Sequence, residues 1–164
     1  VVGFGDIGKC IIRKLQAFNM NIWVSDPLYL EKKSEYNDIN IDILDKCLEK
    51  ANYVITCCPL NKHTYHLLNK EKILLCQKGV KIINVGRGPI ICEKDVIDLL
   101  ENDYIDSVGF DVFEEEPLSH DNILRNFKQN IFGTHNGSNT LEAVDKVSNK
   151  VLNNLNIFLQ NKIN

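Results

Sequence analysis

The chain has 164 residues, 44% of them hydrophobic, which is enough for one domain with a substantial core. Its formal net charge is -3, and its 19 basic residues are dispersed among 22 acidic ones, which argues against a nucleic-acid-binding surface. No run approaches the ~20 apolar residues of a membrane span, and no secretory leader is recognisable. We expect a soluble cytoplasmic protein with no nucleic-acid or membrane partner.

Six cysteines lie mostly inside apolar segments, and none has the C-x-x-C spacing of a zinc site. We interpret them as reduced, buried thiols. His63 and His66 form an H-x-x-H pair without a third ligand at helical spacing, so both are assigned to a polar loop or a helix start. We therefore expect no metal.

Short apolar runs rich in β-formers alternate with longer segments of helical period, as in βαβ units. The predicted strands are residues 1–3, 21–25, 53–57, 81–85, 107–112 and 130–133. The predicted helices are residues 7–18, 43–50, 70–76, 94–101 and 139–159. This order predicts an α/β fold of the Rossmann type, a doubly wound parallel sheet with helices on both faces. Its ligand crevice opens at the carboxyl ends of the strands.

The segment 113–128 breaks this alternation, because an acidic run and then a polar cluster interrupt any period. We expect a loop here, directly after a buried strand. Loops in that position are where α/β sheets place binding and catalytic side chains.

A G-x-G-x-x-G motif occupies residues 3–8, between the first predicted strand and the first predicted helix. Gly3 permits a tight turn, Gly5 lets the backbone approach a pyrophosphate, and Gly8 permits close helix packing. The N-terminus of the helix then faces the phosphates. Since the motif also occurs in glycine-rich turns without a ligand, the next strand has to support it.

Asp26 gives that support, because it ends the second predicted strand near the ~20-residue offset at which an acid binds the adenosine ribose. A carboxylate there repels a 2′-phosphate, which favours NAD over NADP. Lys32 and Lys33 leave dual use open, and a simple helix cap is the alternative role of Asp26.

Three later blocks occur in a characteristic order: Asn84-Val85-Gly86-Arg87-Gly88, Asp111-Val112-Phe113-Glu114-Glu115-Glu116-Pro117 and Thr134-His135-Asn136-Gly137-Ser138. They resemble the signature blocks of D-isomer-specific 2-hydroxyacid dehydrogenases, and the resemblance runs over essentially the whole chain. Asn61 and Thr134 depart from the family pattern, where Thr and Pro are usual. Neither change removes a catalytic side chain. The resemblance implies that residues 1–164 are the NAD-binding domain, a fragment whose flavodoxin-like substrate domain lies elsewhere.

The chemistry of three side chains fits that family. Arg87 follows a buried strand between two glycines, where a guanidinium can fork onto the carboxylate and carbonyl oxygens of a 2-oxo acid. His135 also follows a strand, and its imidazole can give a proton to the carbonyl oxygen. Glu116 lies in a loop that can fold over His135 and fix its tautomer, whereas Glu114 and Glu115 read as solvated acids. The family assigns these three roles to the matching positions.

The resemblance also implies a set of cofactor contacts. They are the pyrophosphate turn, the acid of the second strand with its neighbour, the adenine-side segment, the nicotinamide pocket and the block around the histidine: Gly3, Gly5, Asp6, Ile7, Gly8, Asp26, Pro27, Cys58, Pro59, Thr64, Val85, Gly86, Arg87, Asp111, His135, Gly137 and Ser138. A homodimer joined through nucleotide domains is implied as well.

The sequence therefore predicts reversible hydride transfer between NADH and a small 2-oxo acid, giving a D-2-hydroxy acid. Hydroxypyruvate or glycerate, glyoxylate and 3-phosphoglycerate are the candidate substrates, and the 135–140 segment favours the phosphoglycerate and glycerate branch. An NAD(H)-sensing corepressor on the same fold is the alternative from another class. Formate, phosphonate and alanine dehydrogenase-like enzymes are further rivals, and Glu116 disfavours the formate enzymes.

Overall fold

The computed structural model describes residues 1–163 and divides the chain into two units, Val1–Thr134 and a second that begins at His135. The first unit contains α1 (Asp6–Gln16), β1 (Trp23–Val24), β2 (Asn40–Ile41), α2 (Leu44–Leu48), β3 (Tyr53–Thr56), α3 (Lys70–Ile73), β4 (Val80–Asn84), α4 (Glu93–Glu101), β5 (Ile105–Phe110) and β6 (Ile131–Phe132), with 3₁₀ helices at Pro27–Glu35, Gly88–Ile90 and Ile123–Asn126. The second unit is built on α5 (Leu141–Ile163).

All strand pairs in the first unit are parallel. β1 pairs with β2, and β3 to β6 form a sheet in sequential order. Val2 bridges the two groups, since it pairs with Ser25 on one side and with Thr56 on the other. The full order is therefore β2-β1-Val2-β3-β4-β5-β6, the doubly wound arrangement of a Rossmann sheet. The direction of winding reverses between Val2 and β3, which makes that gap the expected ligand crevice.

The predicted helices and strands are observed with shifted bounds, and there are two larger differences. The first predicted strand is reduced to the bridges of Val2, and β2 was not predicted. β2 lies in residues 38–43, where polar residues alternate with isoleucine, a period-2 signal that the sequence analysis did not use. It exists because the amides of Asn40 and Asp42 donate to the carbonyls of Ile22 and Val24, at 2.9 and 3.1 Å.

The core of the first unit forms two clusters. The larger lies around the interior strands, where Val80, Ile82 and Phe110 are almost fully buried with the inward faces of α3 and α4. The smaller joins α1 to β1 and includes Phe4 and Val24. Along β4 the buried residues alternate with half-buried ones, Lys81 and Ile83.

The six cysteines are all unpaired thiols. Burial raises the pKa of Cys57 to about 11 and that of Cys76 to about 11, so both stay protonated at neutral pH. Within residues 1–163 the helices are all too short or too polar to span a bilayer.

Candidate active site

The register of the sheet aligns the ends of four strands. Thr56 is paired with Asn84, Asn84 with Phe110, and Phe110 with Phe132. The loops that leave these strands therefore start at one edge of the sheet. Those loops carry the candidate residues, beginning with Cys58, Arg87 and Asp111. The sheet thus places at one edge residues that lie far apart in the sequence.

The glycine motif forms the predicted turn at the crevice. Gly3 has φ 102°, a left-handed conformation that favours glycine. A Cβ on Gly8 would overlap the carbonyl oxygen of Gly3, so α1 packs directly on the turn. Gly5 has no heavy atom within 4 Å of its Cβ position and leaves open space beside the backbone. Gly3 and Gly8 have the turn and packing roles that their spacing predicts, and the approach of a pyrophosphate at Gly5 stays a prediction.

The first turn of α1 offers unsatisfied donors. Gly5 is the N-cap, and within residues 1–163 no side chain caps this end of the helix. The first N–H groups of a helix lack intrahelical acceptors and carry its positive dipole end. The turn at Asp6 and Ile7 can therefore receive an anionic group such as a pyrophosphate.

Asp26 is held rigidly at the end of β1. One of its carboxylate oxygens accepts from the amide of Phe4 at 2.8 Å, and the other accepts from the amide of Leu28 at 3.0 Å. The second bond caps the 3₁₀ helix that Pro27 opens, so the alternative role as a cap is present too. A carboxylate has about four acceptor sites. Two remain for ribose hydroxyls, and the bond to Phe4 fixes the acid beside the glycine turn.

Cys58 follows β3 and lies between two glycines. Its backbone nitrogen would be 2.9 Å from a Cβ on Gly3, and its carbonyl oxygen 2.9 Å from a Cβ on Gly86. The segment after Cys58 folds through Thr64, whose hydroxyl donates to the carbonyl of Pro59 at 2.7 Å. The backbone of Cys58 therefore lies against both the glycine turn and the turn that carries Arg87.

A buried amide shapes the turn that carries Arg87. Asn84, which is 1% exposed, accepts at Oδ1 from the Thr56 hydroxyl at 2.8 Å and from the Gly86 amide at 3.1 Å. Its Nδ2 donates to the carbonyl of Arg87 at 3.0 Å. Arg87 itself is exposed, and its Nη1 donates to the Gly86 carbonyl at 2.7 Å. Val85 is also exposed on this turn. Asn84 is a structural contributor that the sequence analysis did not assign.

The Arg87 turn packs against the acidic loop. A Cβ on Gly88 would overlap the carbonyl group of Phe113. The amide of Phe113 in turn donates to a carboxylate oxygen of Glu116 at 3.0 Å. The packing of Gly88 on Phe113 and the hydrogen bond from Phe113 to Glu116 therefore join the segments of Arg87 and Glu116, two of the three candidate catalytic residues.

Asp111 directly follows β5, which ends at Phe110. Its amide donates to the Asn84 carbonyl at 3.0 Å, and Gly133 gives its carboxylate room, since a Cβ on Gly133 would overlap that group. The contact explains why a glycine follows β6, a point that the sequence alone did not reveal.

His135 opens the second unit, after Thr134 at the end of the first. Its φ is 56°, in the left-handed region that non-glycine residues rarely adopt. Backbone strain of this kind clusters at functional sites. Gly137 and Ser138 lie in the same unit, between His135 and α5. The pairing of His135 with Glu116 and the cofactor contacts of these residues remain predictions.

Glu114 is exposed, as expected of a solvated acid, but its carboxylate also has partners within the fold. Glu114 Oε1 lies 2.9 Å from His66 Nε2 and accepts from the amide of Glu93 at 3.1 Å. The amide of Glu114 donates to the buried Glu93 carboxylate. This reciprocal pair fastens the acidic loop to the start of α4. It joins residues about twenty positions apart, which no local pattern reveals.

Comparison with known proteins agrees with this geometry. The sequence model of the family described as D-isomer specific 2-hydroxyacid dehydrogenase, NAD binding domain, matches residues 1–137. A D-3-phosphoglycerate dehydrogenase of Bacillus subtilis is 38% identical over 151 residues, which cover 92% of this chain and 29% of the relative. A glyoxylate reductase of Thermococcus onnurineus is 29% identical over 163 residues, 99% of this chain and 48% of the relative.

Solved structures show the same likeness. A glyoxylate reductase from Paecilomyes thermophila superposes with a TM-score of 0.83 at 31% identity, covering 94% of this chain and 47% of that one. The chain thus spans half or less of the length of these relatives. Its sheet order, its glycine turn with Asp26 and the match over residues 1–137 lead to one conclusion: the chain belongs to the NAD-binding domain family of the D-isomer specific 2-hydroxyacid dehydrogenases.

Proposed function

We propose that the protein carrying this domain is an NAD-dependent dehydrogenase that interconverts a D-2-hydroxy acid and its 2-oxo acid. The observation that carries the proposal is the contact between the Arg87 turn and the Glu116 loop at the carboxyl edge of the sheet, beside the glycine turn. Dinucleotide binding alone does not require that contact. A binding site for the reacting acid does require that the Arg87 turn and the Glu116 loop lie together.

The residues present fit an NAD molecule. The space at Gly5 and the uncapped start of α1 suit a pyrophosphate, and the fixed carboxylate of Asp26 suits two ribose hydroxyls. Asp26 also disfavours a 2′-phosphate, which supports NAD over NADP. When bound, the nicotinamide supplies or accepts the hydride.

Arg87 orients the substrate in this proposal. Its guanidinium presents donors in a planar fork that matches a carboxylate and an adjacent carbonyl oxygen. The Asn84 side-chain amide donates to the carbonyl of Arg87 and fixes the turn, and the hydrogen bond from Arg87 Nη1 to the Gly86 carbonyl orients the guanidinium. A fixed orientation of the acid lowers the entropic part of the barrier.

His135 moves the proton. In the reduction it donates to the carbonyl oxygen of the 2-oxo acid, and in the oxidation it accepts the hydroxyl proton. Glu116 hydrogen-bonds the other ring nitrogen, which fixes the tautomer and stabilises the imidazolium. This pairing is part of the proposal, and it is the reason why Glu116 is assigned a role distinct from Glu114.

The proposed substrates are small 2-oxo acids: hydroxypyruvate, glyoxylate or the 3-phosphoglycerate couple. The names of the relatives support this range, since they are a D-3-phosphoglycerate dehydrogenase and glyoxylate reductases. We also propose that the protein is cytoplasmic, which the unpaired thiols support. We further propose that it is a homodimer, which the family resemblance supports.

The test replaces His135 by Gln in the complete protein. Turnover of glyoxylate or hydroxypyruvate with NADH should fall by about 100-fold or more, because general acid-base catalysis contributes roughly that much. The affinity for NADH, measured by fluorescence titration, should change by less than about threefold. His63→Gln, at an exposed histidine, is the matched control and should leave turnover unchanged. Equal turnover of the two variants would remove His135 from the mechanism.

A further inference from the structure

Three potential metal ligands meet away from the dinucleotide turn. His66 Nε2, Cys92 Sγ and a carboxylate oxygen of Glu114 lie within 4.8 Å of one another. They come from three segments: the loop before α3, the N-cap of α4 and the loop after β5. The sequence analysis rejected a metal because a third ligand was lacking beside His63 and His66. The fold supplies two further ligands to His66.

His66 is held in place on several sides. Its φ is 46°, its amide donates to the Pro89 carbonyl at 2.8 Å, and its ring stacks on that of Tyr65 at 4.0 Å between centroids. The imidazole therefore has a fixed direction. A preoriented ligand loses little entropy when it binds an ion.

The contact between His66 and Glu114 is incomplete as a hydrogen bond. The two atoms are 2.9 Å apart, yet among the residues that the structure describes the buried Nε2 finds no aligned hydrogen-bond partner. A ring nitrogen lone pair that faces a carboxylate oxygen is repelled by it. A cation between the two atoms would satisfy both.

The surroundings add negative charge. The carboxylates of Asp95 and Glu114 interact electrostatically with Cys92, and those of Glu114 and Glu115 interact electrostatically with Glu93. An acidic surrounding with one imidazole and one thiol attracts a divalent cation.

We propose that His66, Cys92 and Glu114 form a zinc site with water in the fourth position. One nitrogen, one sulfur and one oxygen ligand suit the borderline softness of Zn²⁺. Bonds of about 2.0 to 2.3 Å give tetrahedral ligand separations of roughly 3.3 to 3.8 Å, inside the observed envelope. His66 and Glu114 separate by a few tenths of an ångström, and the thiol proton passes to solvent when the ion binds.

Such an ion would fasten the acidic loop to the start of α4, the two segments that Glu93 and Glu114 already join. It would stabilise the folded chain in proportion to its concentration. This inference does not depend on the proposed dehydrogenase activity, and it can be tested with this chain alone.

The test titrates the metal-free chain with Co²⁺ and with Zn²⁺. One equivalent of Co²⁺ should produce a thiolate-to-cobalt charge-transfer band in the near ultraviolet, and Zn²⁺ should displace it stoichiometrically. Cys92→Ser should abolish the band, and Glu114→Gln should weaken zinc binding by about 10-fold or more. Zinc should raise the Tm of the wild-type chain but not that of the Cys92→Ser chain.

The matched controls are Cys10→Ser, at an equally half-buried thiol, and His63→Gln. Both should bind zinc as the wild type does. His66→Asn is a further variant, since asparagine tolerates the left-handed backbone, and it should also weaken binding. Far-ultraviolet circular dichroism of the metal-free variants verifies folding. The absence of a one-equivalent complex in the wild type, or a band that survives in Cys92→Ser, would overturn the proposal and leave His66 and Glu114 as an ordinary ion pair.

Discussion

Two parts of the sheet edge are built in different ways. The dinucleotide turn uses six consecutive residues, 3–8, and one acid on the next strand. The part that we propose faces the substrate combines the Arg87 turn with the acidic loop after β5, and Asn84 and Gly88 hold it together through contacts across the sheet. The conformation of the dinucleotide turn depends largely on its local backbone, whereas the arrangement of the Arg87 turn and the acidic loop depends on tertiary packing.

The glycines show the difference most clearly. Gly5 has open space around its Cβ position, which is where the proposal places the pyrophosphate. Gly88 has the backbone of Phe113 and Glu114 against it, so its small size serves the fold. We therefore expect one glycine to matter for binding and the other for stability, although both stand at the same edge of the sheet.

The largest expected effect is that of Gly88→Ala. The added methyl group meets a backbone carbonyl, which cannot rotate away as a side chain can, so the free energy of unfolding should fall by about 3 kcal/mol or more. Urea denaturation followed by circular dichroism measures it. Gly109→Ala is the control, because its Cβ would meet only the Ile83 side chain, at 3.6 Å. A similar loss in both variants would contradict the assigned role of Gly88.

Asn84→Ala should have the next largest effect. It leaves the Gly86 amide and the Thr56 hydroxyl without their acceptor in a buried place, which costs about 2 to 3 kcal/mol of unfolding free energy. Asn102→Ala removes an exposed amide that also bonds a backbone carbonyl, and it should stay within about 0.5 kcal/mol. If the two asparagines proved equivalent by urea denaturation, the Arg87 turn would not depend on the buried amide.

Gly5→Ala should affect binding more than folding. The methyl group enters the space that suits the pyrophosphate, so NAD affinity should fall by about 10-fold or more. Stability should fall by only about 1 kcal/mol, since alanine is a poorer N-cap residue than glycine but its methyl group meets no other atom. Calorimetry with NAD and thermal unfolding measure the two quantities.

Gly79→Ala is the converse of Gly5→Ala, because it should affect stability and not NAD binding. Gly79 has φ 87° and also has open space, so alanine there should cost about 1 kcal/mol of stability through backbone strain and leave NAD affinity unchanged. A Gly5 variant that binds NAD normally would mean that the turn has no part in cofactor binding.

The sequence by itself determined the class of fold, a doubly wound parallel sheet, and the dinucleotide turn. These depend on local quantities: hydrophobic period, glycine spacing, and an acid at a strand end. The ordered blocks around Arg87, Glu116 and His135 likewise identified the family, which the match over residues 1–137 confirms.

Only the tertiary structure decided how those blocks are held. The strand β2 is a two-residue segment that forms because β1 offers it partners. The Asn84 amide, the fit of Gly88 on Phe113, and the meeting of His66 with Cys92 and Glu114 join residues from different segments. Periodicity reports which face of one segment is buried. It carries no information about which distant side chain will complete a hydrogen bond or a ligand set, because that depends on the register in which the strands pair.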